Sequence, residues 1–226
     1  MPDGVRVKIC GLTRNEDARL AEELGADLIG VVLSAGFGRS VPADRAGSVV
    51  QGVGAPTVAV LVNETPSVAA TLANRIGASV IQLHGAEDVS AVEELRRLGP
   101  WTLWKAVRAR SIEDVSGAVD RFGTSVDGLL VEGWKEGAVG GAGARVLLEP
   151  EAVRACIPRG LDFILAGGLT PESVPDAVAR FCPDVVDVSS GVERSTGIKA
   201  AELMGSFLES ARVGFGSNRN PESRLT

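Results

Sequence analysis

The sequence has few of the residues that build disulfide frameworks and histidine-rich metal sites. It contains three cysteines and one histidine in 226 residues. An odd number of cysteines in unrelated sequence settings does not indicate paired disulfides, so we expect a reducing, cytoplasmic location. A single histidine excludes a histidine-rich metal site, and we expect no bound metal.

The sequence also lacks long hydrophobic runs and an excess of positive charge. No apolar run approaches the roughly 20 residues that a membrane-spanning helix needs. The formal net charge is −6, which argues against nucleic acid or an anionic membrane as a partner held by bulk electrostatics. The first four residues lead directly into a predicted strand, so we expect no signal peptide. The sequence leaves a monomer and a homodimer equally open.

Strand and helix patterns alternate eight times along the chain. Apolar runs predict strands at residues 5–9, 27–33, 57–62, 79–83, 102–107, 126–131, 162–165 and 184–188. Helical spacing predicts helices at 15–24, 42–53, 66–76, 87–98, 111–122, 150–156, 171–181 and 199–213. Such alternation favours a parallel sheet, and eight units in this length favour closure. We predict an α/β protein with a single (β/α)8 TIM barrel over residues 1–213 and a disordered tail over 214–226.

Two residues with acid–base chemistry stand where predicted strands end. Cys10 ends the first strand and Glu132 ends the sixth. Strand ends of this kind are where catalytic side chains of (β/α)8 barrels lie. Proton transfer needs groups on both sides of a substrate, so these two are the catalytic candidates. The alternatives are that Cys10 is a small buried apolar residue and that Glu132 is a solvated loop carboxylate.

Small residues follow the last two predicted strands. Gly167 and Gly168 follow the seventh, and Ser190 and Gly191 follow the eighth. In (β/α)8 enzymes these two loops commonly bind phosphate through backbone N–H groups, which glycine lets come close to the anion. The alternative is a pair of ordinary turns. We therefore predict a small phosphorylated molecule as the ligand.

Four further polar residues are candidates for lining the mouth of the barrel. Arg39, in a glycine-rich loop, is suited to binding a carboxylate through two hydrogen bonds; the alternative is a surface arginine. Gln82 and His84 stand at the end of the fourth strand, and Asp187 stands in the eighth. Lys8 lies on the same strand face as Cys10, and the sequence does not say whether that face is the barrel interior.

Several motifs together resemble phosphoribosylanthranilate isomerase of tryptophan biosynthesis. They fall in the family's order between residue 5 and about residue 211, and they are VKICGLT at 7–13, QLHG at 82–85, LAGGL at 165–169, and DVSSGVE at 187–193 with GIK at 197–199. The resemblance implies a (β/α)8 barrel without a cofactor. It also implies an Amadori rearrangement of N-(5-phosphoribosyl)anthranilate to the 1-deoxyribulose 5-phosphate product.

The resemblance implies roles for individual residues. Cys10 matches the general base that removes the sugar C2 proton, and Arg39 matches an arginine that helps to hold the substrate. Glu132 stands where the family has an aspartate, the general acid that protonates the furanose oxygen. We expect burial under the loop 133–145 to raise the pKa of Glu132.

Two departures from the family pattern keep other functions open. Besides Glu132, the residues Val146, Leu147 and Leu148 stand where the family has an aromatic–Asp/Asn–Trp block. One alternative is a divergent relative that acts on another amino-sugar phosphate in specialised metabolism. The other is a barrel that binds phosphate and has lost its chemistry, against which the retained Cys10 and Arg39 argue.

Overall fold

The computed structural model describes residues 4–133 and 145–217, with side chains described to residue 214. Its barrel strands are β1 (Arg6–Ile9), β2 (Leu28–Val32), β3 (Thr57–Leu61), β4 (Val80–Leu83), β5 (Thr102–Ala109), β6 (Gly128–Gly133), β7 (Asp162–Ala166) and β8 (Val185–Val188). The α-helices are α1 (Asn15–Glu23), α2 (Ala43–Val49), α3 (Pro66–Arg75), α4 (Val89–Leu98), α5 (Ile112–Phe122), α6 (Pro150–Cys156), α7 (Val174–Phe181) and α8 (Ala201–Ser217).

The eight strands form a closed parallel barrel, as predicted. Each strand pairs with the next one along the chain. The ring closes where β8 pairs with β1, with Val7 opposite Val186 and Lys8 opposite Asp187. Among the described residues, no helix is both long and apolar enough to cross a membrane.

The barrel wall separates two hydrophobic cores. Side chains alternate along each strand, so that Val7 and Ile9 point outward into the larger core beneath the helices. Lys8 and Cys10 point the other way, and Cys10 packs in the smaller interior core with Trp104 and Ile164. This alternation places Lys8 inside the barrel and Cys10 at its carboxyl end.

The last part of the chain differs from the prediction. A short 3₁₀ helix (Ser190–Val192) and a small hairpin of β9 (Glu193–Ser195) and β10 (Ile198–Lys199) precede α8. Helix α8 continues to Ser217, beyond the expected domain boundary at residue 213. The rest of the expected tail, and most of the loop expected to cover Glu132, lie outside the described residues.

Candidate active site

A cavity of about 260 Å³ opens at the carboxyl ends of the barrel strands. Every site residue predicted from the sequence lines it, although these residues are spread over most of the chain: Cys10, Arg39, Gln82, His84, Glu132, Gly167, Gly168, Asp187, Ser190 and Gly191. The barrel therefore brings together an acid–base pair, a cation and two glycine-bearing loops.

Cys10 is held at the end of β1 beside β8. Its backbone N–H donates to the carbonyl of Val188 at 2.8 Å, and the residue is 7% exposed. Gly30 makes room for the thiol, because a Cβ there would lie 2.9 Å from the Cys10 sulfur. Burial and the nearby Asp187 carboxylate raise the pKa of Cys10, against the opposing effect of Lys8 and Lys199. In the resting site the sulfur therefore keeps its proton at neutral pH.

Lys8 lies fully buried in the barrel interior beneath Cys10. Its ammonium donates to Asp187 Oδ1 at 3.0 Å and to Gln82 Oε1 at 3.0 Å. Burial alone would lower the pKa of Lys8, but the negative charge of Asp187, the neighbouring Cys10 sulfur and hydrogen bonds to both raise it. Lys8 is thus a buried cation beside the candidate base.

A chain of hydrogen bonds continues from Gln82 across the cavity. Gln82 Nε2 lies 2.8 Å from His84 Nδ1, and His84 Nε2 lies 3.1 Å from Glu132 Oε1. Arg108, near the end of β5, donates from Nε to the same Oε1 at 3.1 Å. Glu132 therefore shares one oxygen between an imidazole and a guanidinium.

These partners overturn the expected direction of the pKa of Glu132. Burial raises it, as expected from the sequence, but the hydrogen bonds from His84 and Arg108 and the positive charge of Arg108 outweigh burial and lower it below 4.5. The prediction of a raised pKa is wrong because it considered burial without these two partners. In the resting site Glu132 is a carboxylate.

Arg39 also has a partner that the sequence did not reveal. It donates from Nε and Nη2 to the two carboxylate oxygens of Glu193 at 2.8 and 2.7 Å. Lys199, fully buried at its side chain, donates to Glu193 Oε1 at 2.9 Å. Two cations thus face one carboxylate, which leaves a net positive charge beside the cavity.

The two glycine-bearing loops approach each other at the mouth of the barrel. Gly167 and Gly168 have φ angles of 93° and 61°, a left-handed backbone that favours glycine. A Cβ at Gly191 would lie 1.9 Å from the carbonyl oxygen of Leu169. The side-chain hydroxyl of Ser189 is buried there without a partner among the described residues. This arrangement suits an anion held by backbone N–H groups.

The described residues contain no group of three His, Cys, Asp or Glu side chains that is arranged to hold a metal ion.

Comparison with known proteins assigns the chain to a family. Residues 7–210 match the family model described as N-(5'-phosphoribosyl)anthranilate (PRA) isomerase. The N-(5'-phosphoribosyl)anthranilate isomerase of Pseudomonas fluorescens is 38% identical over 92% of this chain and 98% of its own. The chain belongs to the phosphoribosylanthranilate isomerase family.

Solved structures of this isomerase family agree with the assignment. The Thermotoga maritima enzyme has a TM-score of 0.80 and 28% identity, covering 92% of this chain and 98% of its own. A phosphoribosyl anthranilate isomerase in complex with reduced 1-(o-carboxyphenylamino)-1-deoxyribulose 5-phosphate has a TM-score of 0.77 and 28% identity, with the same coverage.

Four residues that contact the lining of the cavity cannot be identified with certainty from the sequence. The sequence leaves the direction of the Lys8 side chain open, and the strand-end pattern does not identify Gly30, Arg108 or Glu193. Of these, Glu193 had a visible signal, since it ends the DVSSGVE motif. Arg108 lies beyond the predicted end of its strand at residue 107, whereas β5 continues to Ala109.

Proposed function

We propose that this protein catalyses the Amadori rearrangement of N-(5'-phosphoribosyl)anthranilate to 1-(2-carboxyphenylamino)-1-deoxyribulose 5-phosphate in tryptophan biosynthesis. The supporting observation is that Cys10, Glu132 and the two glycine-bearing loops line one cavity in a member of this isomerase family. The reaction is internal to the substrate, so acid–base groups and a phosphate site are sufficient.

The first step is ring opening by Glu132. Its carboxylic acid gives a proton to the furanose oxygen, and the bond from C1′ to that oxygen breaks with its electron pair left on oxygen. The lone pair of the anthranilate nitrogen forms the C1′=N double bond of a Schiff base. Glu132 becomes a carboxylate, which the hydrogen bonds from His84 and Arg108 stabilise.

The second step is removal of the C2′ proton by the Cys10 thiolate. The C–H electron pair forms a C1′=C2′ double bond, and the C1′=N pair returns to nitrogen. The enol then becomes the ketone, as its hydroxyl loses a proton and C1′ gains one. Lys8 and the positive Schiff base both favour the thiolate at this stage.

The resting protonation state must therefore be rearranged before turnover. At rest the sulfur is protonated and Glu132 is ionised. The active form has the same number of protons, with the proton on Glu132 and the charge on sulfur. Catalysis proceeds from this minor form.

Substrate binding uses the other residues of the cavity. The loops at Gly167–Gly168 and Ser190–Gly191 bind the phosphate through their backbone N–H groups. Arg39 binds the substrate carboxylate, although two of its N–H groups are already directed to Glu193. Asp187 remains paired with Lys8 and faces the sugar.

Growth of a tryptophan auxotroph that lacks this isomerase tests the proposal. The wild-type gene restores growth without tryptophan, and Cys10→Ser does not, because a hydroxyl is a far poorer base than a thiol. Purified protein supplies the second measurement, which is conversion of N-(5'-phosphoribosyl)anthranilate followed by chromatography. Failure of the wild-type protein in both assays would overturn the proposed function.

A second function is favoured by two specific observations. Glu132 is one methylene longer than the aspartate that the family resemblance implies, and Leu147 is exposed where that resemblance implies an aromatic–Asp/Asn–Trp block. A divergent isomerase would act on another amino-sugar phosphate. Its signature is binding of inorganic phosphate at the glycine-bearing loops without turnover of N-(5'-phosphoribosyl)anthranilate.

A further inference from the structure

We infer that Gln82 is a positioning residue whose amide, oriented by Lys8, fixes the Nε2–H tautomer of His84 and so directs the transferable proton of Glu132 to Oε2. These four side chains form one continuous chain of hydrogen bonds, Lys8–Gln82–His84–Glu132. The chain leads from Lys8, beneath the candidate base Cys10, to the candidate acid Glu132. The inference deepens the proposed function. The tautomer of His84 is independent of that function, whereas the effect of Gln82 on catalysis rests on it.

Lys8, at the buried end of this hydrogen-bond chain, determines which groups in it donate and which accept. An ammonium has donors and no acceptor, so the group 3.0 Å from Lys8 Nζ must be the amide oxygen of Gln82. The NH2 group of Gln82 therefore faces His84. Gln82 is buried, with 1% of its surface exposed. Exchanging its amide oxygen and nitrogen would place its NH2 group against the Lys8 ammonium, so that two donors would face each other.

The tautomer of His84 follows from that orientation. The Gln82 NH2 group donates to Nδ1 across 2.8 Å, so Nδ1 carries no proton. The ring proton is then on Nε2, from which it is donated to Glu132 Oε1 at 3.1 Å. A second proton on Nδ1 would face the NH2 group of Gln82 directly.

The position of the acid proton follows in turn. Both hydrogen bonds that the structure describes at the Glu132 carboxylate reach Oε1, one from His84 and one from Arg108. A proton on Oε1 would be opposed by these two donors. When Glu132 is protonated, its proton is on Oε2, the oxygen left for the furanose oxygen.

The chain offers a direct measurement of this tautomer because His84 is its only histidine. Long-range ¹H–¹⁵N correlation of the labelled protein will show a pyrrole-type Nε2 and a pyridine-type Nδ1 in the wild type. The opposite assignment in the wild type would overturn the inference, and this measurement needs no variant.

The variant Gln82→Glu reverses the direction of the hydrogen bond between residue 82 and His84. A carboxylate at this position accepts from Lys8 and from His84, so Nδ1 gains a proton and its resonance becomes pyrrole-type. The expected kinetic result is a fall in kcat of about tenfold or more with little change in KM, as for an interaction that acts in the transition state. A folded Gln82→Glu protein with an unchanged Nδ1 resonance, or with wild-type kcat, would contradict the inference.

The matched control is Gln51→Glu, the same amide-to-carboxylate change at an exposed turn. It is expected to keep the His84 resonances and the kcat of the wild type. The His84 resonances do not depend on turnover, so the inference about the tautomer and the proposed function can be refuted independently of each other. A wild-type protein with its proton on Nε2 that does not convert N-(5'-phosphoribosyl)anthranilate would retain the tautomer and refute the proposed function.

Discussion

Gly30 lies directly across the β1–β2 pair from Cys10, so close that a Cβ on Gly30 would meet the sulfur at 2.9 Å. The same Cβ would lie 3.1 Å from the Cα of Cys10, which cannot move without the strand. The position of the Cys10 thiol therefore requires that residue 30 of β2 has no Cβ atom.

Gly30→Ala is expected to displace the Cys10 thiol and to lower kcat/KM by about 100-fold, the typical cost of a misplacement near 1 Å. Binding of inorganic phosphate is expected to stay unchanged, because the three atoms nearest to the new Cβ belong to Cys10 and Lys8 and none belongs to the glycine-bearing loops. The control is Gly117→Ala, where the added methyl group meets nothing within 4 Å. Wild-type kcat/KM in Gly30→Ala would show that the position of the thiol is not limiting.

Glu132→Asp tests whether the site is fitted to glutamate. The shorter side chain withdraws the carboxylate by about 1.5 Å, which breaks the 3.1 Å contacts with His84 and Arg108. We expect kcat/KM to fall, and Glu132→Gln, which keeps the length and loses the acid, to abolish ring opening. A rise of tenfold or more in Glu132→Asp, about 1.4 kcal/mol of transition-state stabilisation, would instead favour the divergent substrate.

The pH profile of kcat/KM is expected to be a broad plateau. The pKa of Glu132 is lowered from 4.5 and the pKa of Cys10 is raised from 9.0, so the pair holds one proton over the whole interval between those values. Activity falls below the plateau as a second proton is bound and the thiolate is lost. It falls above the plateau as the last proton leaves and the acid is lost. A fall within the interval in the free enzyme would require a different acid or base.

Gly191→Ala is expected to weaken phosphate binding. The new Cβ would meet the Leu169 carbonyl oxygen at 1.9 Å, so the two loops must separate. Isothermal titration with the product would show a higher Kd, and a matched Gly47→Ala variant, whose methyl group lies 3.5 Å from its nearest neighbour, would not. An unchanged Kd in Gly191→Ala would place the phosphate elsewhere.

The barrel was predictable from the sequence because its signals are local. Each buried strand is an apolar run and each helix has its own spacing, so all eight units were placed without knowledge of their contacts. The hairpin of β9 and β10 was not predicted, since strands of three and two residues are too short to show a period.

The residues that line the cavity were predictable from the sequence, but their supporting partners and their electrostatics were not. Strand ends identify Cys10 and Glu132 because position along a strand is a sequence property. The partner of Glu132 is 48 positions away at His84, and the partner of Arg39 is 154 positions away at Glu193. Such pairs exist only after the ring has formed, which is why the pKa of Glu132 was predicted in the wrong direction.

The Lys8–Asp187 contact also bears on how the molecule can be divided. It joins the first barrel strand to the last across 179 positions, and the cation lies wholly inside the barrel. A fragment ending after β4 keeps Gln82 but loses the only carboxylate that the structure describes against Lys8, and an uncompensated buried charge costs about 3–5 kcal/mol. Half-barrels of this chain therefore have to be supplied together, whereas a circular permutant that keeps β1 beside β8 meets no such penalty.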